Sequence, residues 1–192
     1  MRPIDTRQPG DAVRAYSTIL NWPLSVGHRY RPRQGCTCGE ANCPTPGAHP
    51  LPCTPPSRDE AQLEQDLKES PGAALLAWTQ QFDAVAVRRP VGMAAMATLE
   101  SIAPVPCLLA GNTAILLVQP ATGQYALREG LPGRVRSGPE RWIAVPPAHG
   151  MRWDTRPWVD ETSAPVDLLH GAFVGQHLLR AYAGTENLEA RL

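Results

Sequence analysis

Lysine is all but missing from this sequence: of its 18 basic residues only Lys68 is one. The 18 acidic residues bring the formal net charge to zero, which excludes a strong overall electrostatic pull toward nucleic acid. An arginine skew of this kind is what a GC-rich genome produces and is not by itself phosphate chemistry. No stretch approaches the roughly 18 consecutive apolar residues of a transmembrane helix, so no membrane span is expected. The opening MRPIDTRQPGDAV lacks the apolar h-region of a signal peptide. Five cysteines is an odd number, and Cys36, Cys38, Cys43 and Cys53 fall close together, which suits a reducing cytoplasm better than an exported disulfide framework. Internal repeats are absent too, and 192 residues are enough for one domain with a sizeable core.

What is present is concentrated in residues 35–50, GCTCGEANCPTPGAHP. Cys36, Cys38, Cys43 and His49 have the spacing C-x-C-x4-C-x5-H, three soft thiolates and an imidazole, the ligand set of a closed tetrahedral zinc site. Glycine and proline on both sides deny this stretch regular structure, so ordering it needs a staple. Structural zinc supplies about 10–16 kcal/mol of apparent binding energy in small peptides. Three cysteines within eight residues cannot all pair with one another, which argues against disulfides. Cys53 competes with His49 for the fourth position.

Charge is segregated along the chain. Residues 1–58 carry seven arginines against three acids, and 59–70 carry five acids against Lys68. Residues 128–156 carry six arginines against three acids, and 157–192 five acids against two arginines. The two basic segments can form one patch only if the fold brings them together.

In chain order, residues 11–21 put Ala12, Val13, Tyr16, Ile19 and Leu20 on one helical face, with Asp11 as a cap. Residues 23–30 read as a short strand, His28 on it as a partly exposed strand residue. Ser57-Arg58-Asp59-Glu60 matches a capping box for a helix over 58–69. Residues 73–79 and 82–88 read as two neighbouring buried strands. Pro90 opens a helix to about Ile102. Strands at 106–110 and 113–119 are joined by Gly111-Asn112, a two-residue hairpin signal, with Cys107 as a small core residue. A further strand is expected at 124–128, a basic surface loop at 129–139, a strand at 141–145 and an edge piece at 151–153. Pro165 opens a last helix, 165–182, carrying His170 and His177 as exposed residues on one face. Helices bracketing antiparallel strand candidates indicate an α+β domain.

The order of these features resembles the N-terminal domain of the bifunctional primase–polymerase (prim-pol) family, actinobacterial type. The likeness rests on AVRAYSTILNWPL at 12–24, the cysteine loop closing on PGAHP at 46–50, FDAVAVRRPVG at 82–92 and RWIAVPP at 141–147. The cysteine loop is the most specific of the four. The resemblance implies a single prim-pol-like domain over 1–192, an RRM-like antiparallel or mixed sheet flanked by helices, with the zinc loop near its start. It also implies an acidic pair at the end of a core strand and a Ser-x-His motif, because two divalent ions must be clamped between carboxylates and a triphosphate. This chain departs from that pattern. Its strand reads Asp83-Ala84-Val85-Ala86-Val87-Arg88-Arg89, and alternation leaves neither face with two carboxylates. Residues 106–128 hold no histidine and no acid, and His149 is given no catalytic role. No catalytic residue is assigned.

Three functions follow as expectations. The first is a non-catalytic, zinc-binding, regulatory or binding module, in which Arg88, Arg89, Arg134, Arg136 and Arg141 hold the phosphate of a nucleic acid or nucleotide. Trp142, Trp153 and Trp158 interleave with arginines, a mixture that stacks bases or else simply packs. The second is an active primase or polymerase drawing on Asp83 with Asp154 or Asp167. The third is a protein-binding adaptor or developmental or transcriptional regulator, using the helix at 165–182 and the proline-rich connectors.

Overall fold

The computed structural model of the chain describes residues 4–52, 54–127 and 130–189, the last three as backbone only. Helix α1 (Pro9–Arg14) runs on as a π-helical turn, Ala15–Ile19. Strand β1 (Leu24–Gly27) and the two-residue strands β2 (Tyr30–Arg31) and β3 (Gly35–Cys36) follow. Next come α2 (Glu60–Glu69), β4 (Ala74–Trp78), β5 (Asp83–Arg88), α3 (Arg89–Leu99), β6 (Cys107–Ala110) and β7 (Thr113–Val118). A 3-10 turn at Gly123–Tyr125 leads to β8 (Arg134–Arg136), β9 (Trp142–Val145), β10 (Met151–Thr155) and α4 (Gly171–Glu189). The molecule is α+β, with antiparallel sheets flanked by helices. None of its described helices is long and apolar enough to cross a membrane.

The chain divides into two compact units. One holds the chain up to Trp78 with Glu140–Arg152 and Trp158–Pro165, and the other holds Thr79–Pro139, Trp153–Pro157 and the chain from Val166 on.

The first unit is built on the antiparallel sheet β1-β4-β9, with β4 in the centre. Its centre reads Ala-Leu-Leu-Ala-Trp and is buried on both faces, so period-2 alternation is missing there. Ala74, Leu76, Ala144 and Ala148 form one small cluster, against which Ala48, Trp142 and Met151 pack. Elsewhere in the unit the Tyr16 ring stacks on Trp22 at 5.7 Å and meets Trp158 at 6.2 Å. Helix α2 is capped by Asp59, whose side chain accepts from the Gln62 N–H, while the Ser57 hydroxyl accepts from Asp59 N–H. The expected Ser57–Glu60 capping box is thus replaced by an aspartate one residue before the helix. Asp11, expected as a cap, sits inside the first turn of α1, and Gln8 precedes that helix without a side-chain cap.

The second unit carries the five-stranded sheet β10-β6-β7-β5-β8, to which β10 contributes from Trp153 on. Chain order β5-α3-β6-β7-β8 maps onto spatial order β6-β7-β5-β8, with β5 paired antiparallel to both β7 and β8. The hairpin at Gly111-Asn112 closes as expected, with Ala110 opposite Thr113. One face of the sheet is covered by α3 and α4: Val85, Val87, Leu109 and Leu116 meet Met96, Leu99, Val174 and Leu178 in one apolar core. Gly92 is required there, because a Cβ at that position would collide with the Ala114 side chain.

Several expectations fail for identifiable reasons. Strands β4 and β5 are not neighbours; they belong to different sheets. Residues 124–127 form no strand, because the turn at Gly123 folds back to donate its N–H to the Asp83 carboxylate, and Arg128 lies outside the described residues. The segment expected as a basic surface loop contains β8, since Val135 alternates with Arg134 and Arg136 and pairs with Val85. The last helix begins at Gly171, not Pro165, which bridges to Trp158 instead. His177 is buried rather than exposed: its Nδ1 lies 2.8 Å from the Thr98 hydroxyl, between α3 and α4.

Candidate metal centre and basic sheet face

The cysteine loop hangs from the edge of β1. The backbone of His28 donates to His49 O at 2.9 Å, Gly27 bridges Pro50, and Leu51 N–H reaches Val26 O at 3.4 Å, so both ends of the loop are tied to one strand. Between them β2 and β3 form a short hairpin with Tyr30 opposite Cys36. Beyond it, Gly39 N–H to Cys36 O (3.2 Å) closes the turn that carries Cys38, and Cys43 N–H to Glu40 O (3.3 Å) closes the next. Gly47 has φ +66°, and a Cβ there would lie 2.7 Å from the Tyr30 Cβ, so only glycine lets the chain turn back toward Cys36. Trp142 locks this return by donating its indole N–H to Ala48 O at 2.9 Å.

These turns gather Cys36, Cys38, Cys43 and His49 so that their four ligand atoms lie within 4.8 Å of one another. The Nε2 of His49 is 3.3 Å from Cys36 Sγ and 3.4 Å from Cys43 Sγ. Tetrahedral bonds of about 2.3 Å to sulfur and 2.0 Å to nitrogen set sulfur–nitrogen edges of about 3.5 Å, so the donor set fits such an ion closely. The three cysteines are free thiols. This group can hold a metal ion, and it is the one cluster of three or more His, Cys, Asp and Glu side chains among the described residues that can. Cys53, the competing ligand, lies outside the described residues.

Protons are divided unevenly over the metal-free cluster. Burial works to raise the Cys36 thiol, but hydrogen bonds from the backbone of Cys38 and Gly47 and from His49 outweigh it and bring it down to about 6. Cys43 is pushed up to about 11 by burial and by sharing the site with Cys38 and Cys36. His28 stands beside the site, its ring 4.4 Å from that of His49 and its Nδ1 3.2 Å from the Thr37 hydroxyl. Burial first, then the neighbouring His49, lowers its pKa, which suits a neutral ring next to a bound cation. This outer shell of His28, Thr37, Gly47 and Trp142 is not apparent from ligand spacing; the glycine before Ala48-His49 is its one sequence sign.

Three of the five candidate arginines share one face of the second unit's sheet. Arg134 lies opposite Ala86 and Arg136 opposite Ala84 in the β5–β8 register, and Arg88 is two residues beyond Ala86. Cross-strand partners point to the same side of a sheet, so Arg88, Arg134 and Arg136 form a patch, Arg88 diagonal to Arg134 at about 7–8 Å between backbones. Arg89 opens helix α3 and is half-buried, while Arg141 belongs to the first unit. The other positions on this face of β5 and β7 are Ala84, Ala86, Thr113, Ile115 and Leu117, none of them aromatic.

Asp83 lies on the opposite face. It is 1% exposed, its Oδ2 accepts from Gly123 N–H at 2.7 Å, and its Oδ1 has no hydrogen-bond partner among the described residues. The tryptophans pack rather than present flat faces: Trp158 is buried on Tyr16, and Trp142 is half-buried with its ring 5.3 Å from that of Trp78. No family model, no curated protein and no solved structure matches this chain.

Proposed function

We propose that this chain is a zinc-stapled, prim-pol-like module that binds nucleic acid through its phosphates and performs no nucleotidyl transfer. Zinc is favoured over other ions by the donor set, since three thiolates and an imidazole at tetrahedral spacing suit a soft, geometrically undemanding cation. A prim-pol or RRM-like scaffold is supported by the strand order β6-β7-β5-β8, one helix following the first strand and a hairpin following the helix. The observation that carries the binding reading is the register that aligns Arg88, Arg134 and Arg136 on one face. Arginine recognises phosphate bidentately and keeps its charge at any working pH. Arg88 and Arg134 are exposed and Ala86 between them is half-buried, so this end of the face is open to solvent, whereas Ala84 at the other end is buried.

The same face argues against base recognition. RRM-type sheets read single strands by stacking bases on aromatics of their two central strands. Here the equivalent positions are alanine, isoleucine and leucine. Binding is therefore electrostatic and indifferent to sequence.

Polymerase activity is the weaker reading. Asp83 is buried and engaged with Gly123, and it belongs to no cluster of three or more His, Cys, Asp or Glu side chains able to hold a metal among the described residues. The adaptor reading has less again: the face of α4 toward α3 is spent on the core, with Val174 and Leu178 buried there.

The test is a salt titration of a labelled single-stranded oligonucleotide against the metal-loaded chain. Three neutralised phosphates predict a slope of about −2 in log K against log salt. The triple variant R88A/R134A/R136A should flatten that slope. Absence of binding at low salt overturns the proposal, and primer extension that depends on Asp83 would replace it with the polymerase reading.

A further inference from the structure

Residues 29–33 read Arg-Tyr-Arg-Pro-Arg and lead through β2 into the turn before β3. Tyr30 lies opposite Cys36 and Arg31 opposite Gly35. Arg29 continues the ladder: its N–H donates to the Thr37 hydroxyl at 3.0 Å, and its carbonyl accepts from Thr37 N–H at 3.0 Å. Strand alternation puts Arg29 and Arg31 on one side of the hairpin and Tyr30 on the other. The surroundings agree. Tyr30 stacks on His149 with ring centres 5.2 Å apart, while Arg29, Arg31 and Thr37 line one cavity of about 270 Å³. That volume is below the roughly 300–1,000 Å³ of whole-ligand sites and suits a single phosphate group. Glu69 is the one acid in this lining, and its Oε1 is occupied by Gln65 Nε2 at 2.8 Å, so arginines outnumber it two to one.

Arg33 adds an independent observation. Gln34 N–H donates to Arg31 O at 3.0 Å, closing a turn with Pro32 and Arg33 at its centre. Arg33 has φ +70°. After a proline, that is the position type II turns give to glycine or asparagine. A long side chain there is disfavoured, and glycine would be better suited. The Arg33 side chain is exposed and makes no hydrogen bond or ion pair among the described residues. The fold makes no use of this guanidinium; what it offers is its charge. None of the three arginines is ion-paired among the described residues.

We infer that the β2–β3 hairpin is a second contact for a nucleic-acid backbone, held in shape by the metal of the cysteine loop. This extends the phosphate-binding reading to the first unit and rests on it for the choice of partner. Arg29 and Arg31 are two residues apart on a strand, about 6.6 Å. Neighbouring phosphates along one nucleic-acid strand have a similar spacing, and each guanidinium can fork onto phosphate oxygens. Arg29 spends Nη1 on Pro71 O at 2.7 Å, which anchors the hairpin to the turn after α2, and its remaining N–H groups face the cavity. Arg33 extends the row to the tip. Bases are not read, because Tyr30 is engaged with His149. Cys36 lies in β3 directly opposite Tyr30, so a metal bound to it holds the strand that aligns Arg29 and Arg31.

A labelled single-stranded oligonucleotide is titrated with salt against the metal-loaded chain and against R31A/R33G. Loss of two phosphate contacts should reduce the magnitude of the log K against log salt slope by about 1.4. Metal content and melting temperature should not fall, because both side chains are exposed and glycine suits the turn. R31K/R33K, which keeps both charges, should keep the slope. Chelation should weaken wild-type binding about tenfold, the worth of one charge-assisted contact, and R31A/R33G binding far less, because the metal acts through the hairpin. An unchanged slope in R31A/R33G, a metal-stripped chain that binds as before, or equal competition by polyglutamate of matched charge would each overturn the inference. R88A/R134A/R136A separates the two surfaces. A loss there with none in R31A/R33G leaves the sheet face as the contact and removes the hairpin; the opposite pattern removes the sheet face and supports the hairpin.

Discussion

Stripping the metal from the cysteine loop should unfold that loop while the apolar core of α3, α4 and the five-stranded sheet stays intact. The sixteen residues 35–50 cost about 1–2 kcal/mol each to order, so the total is of order 16–32 kcal/mol. Against this stand the loop's own hydrogen bonds. Those of Thr37, Gly39, Cys43 and Ala48, with the Trp142–Ala48 lock, contribute about 0.5–1.5 kcal/mol apiece. Apolar burial adds little, because Cys36 is the only residue of 35–50 other than Gly47 that is buried. A deficit of about 9 kcal/mol or more remains, whose lower end is comparable to the binding energy structural zinc supplies in peptides. Hydrogen exchange on the chain before and after treatment with a tight chelator measures this directly. Amides of Thr37, Gly39, Cys43, Gly47 and Ala48 should lose protection, and those of Val85, Val87 and Leu116 should keep it. Metal analysis should give one equivalent of zinc, and cobalt substitution the visible spectrum of a tetrahedral thiolate site. A chain that purifies without metal and retains loop protection in chelator would refute the reasoning.

Metal uptake should release protons and strengthen with pH, because Cys43 is held as a thiol up to about 11 and must lose its proton to ligate; a competition assay with a chromophoric chelator from pH 6 to 8 reads the slope. Gly47→Ala should weaken metal binding at least tenfold and cost about 1–2 kcal/mol, since φ +66° is unfavourable for alanine and its Cβ would strike Tyr30. Asp83→Ala should destabilise by about 1–3 kcal/mol in denaturant melts by orphaning the Gly123 N–H, whereas Asp83→Asn, which keeps an acceptor oxygen, should cost less. A carboxylate kept for metal catalysis behaves oppositely, its removal usually leaving the fold unharmed or more stable.

How far the sequence carried these conclusions depends on the range of the interactions involved. The metal loop was readable because ligands thirteen residues apart obey local spacing, and because glycine and proline ruled out competing regular structure. The β6–β7 hairpin was readable for a similar reason: its turn is two residues long and Gly111 takes φ +55°. The placement of β4 beside β5 failed because β4 is buried on both faces and gives no alternation to assign it to a sheet. His177 was misread because its partner, Thr98, is 79 residues away on another helix.

The arginine face illustrates the same limit from the functional side. Sequence identified Arg88, Arg134 and Arg136 as basic residues in two distant segments, one of which looked like a loop. Glycine and proline at 130–133 and 138–139 masked a three-residue strand whose only signature is a single valine between two arginines. Once Val135 pairs with Val85, period-2 geometry forces both arginines to the side of Ala84 and Ala86, and Asp83 to the other. A one-residue slip of β8 would turn Val135 outward and drive two guanidinium groups into the apolar core, at a cost no surface charge recovers. The register is thus fixed by hydrophobic burial, and the clustering of positive charge follows from it. Val135→Ser should therefore weaken oligonucleotide binding even though its side chain touches no phosphate. Val135→Ile, which keeps the register, should leave the salt slope unchanged; equal loss in both variants would detach the basic face from the strand that presents it.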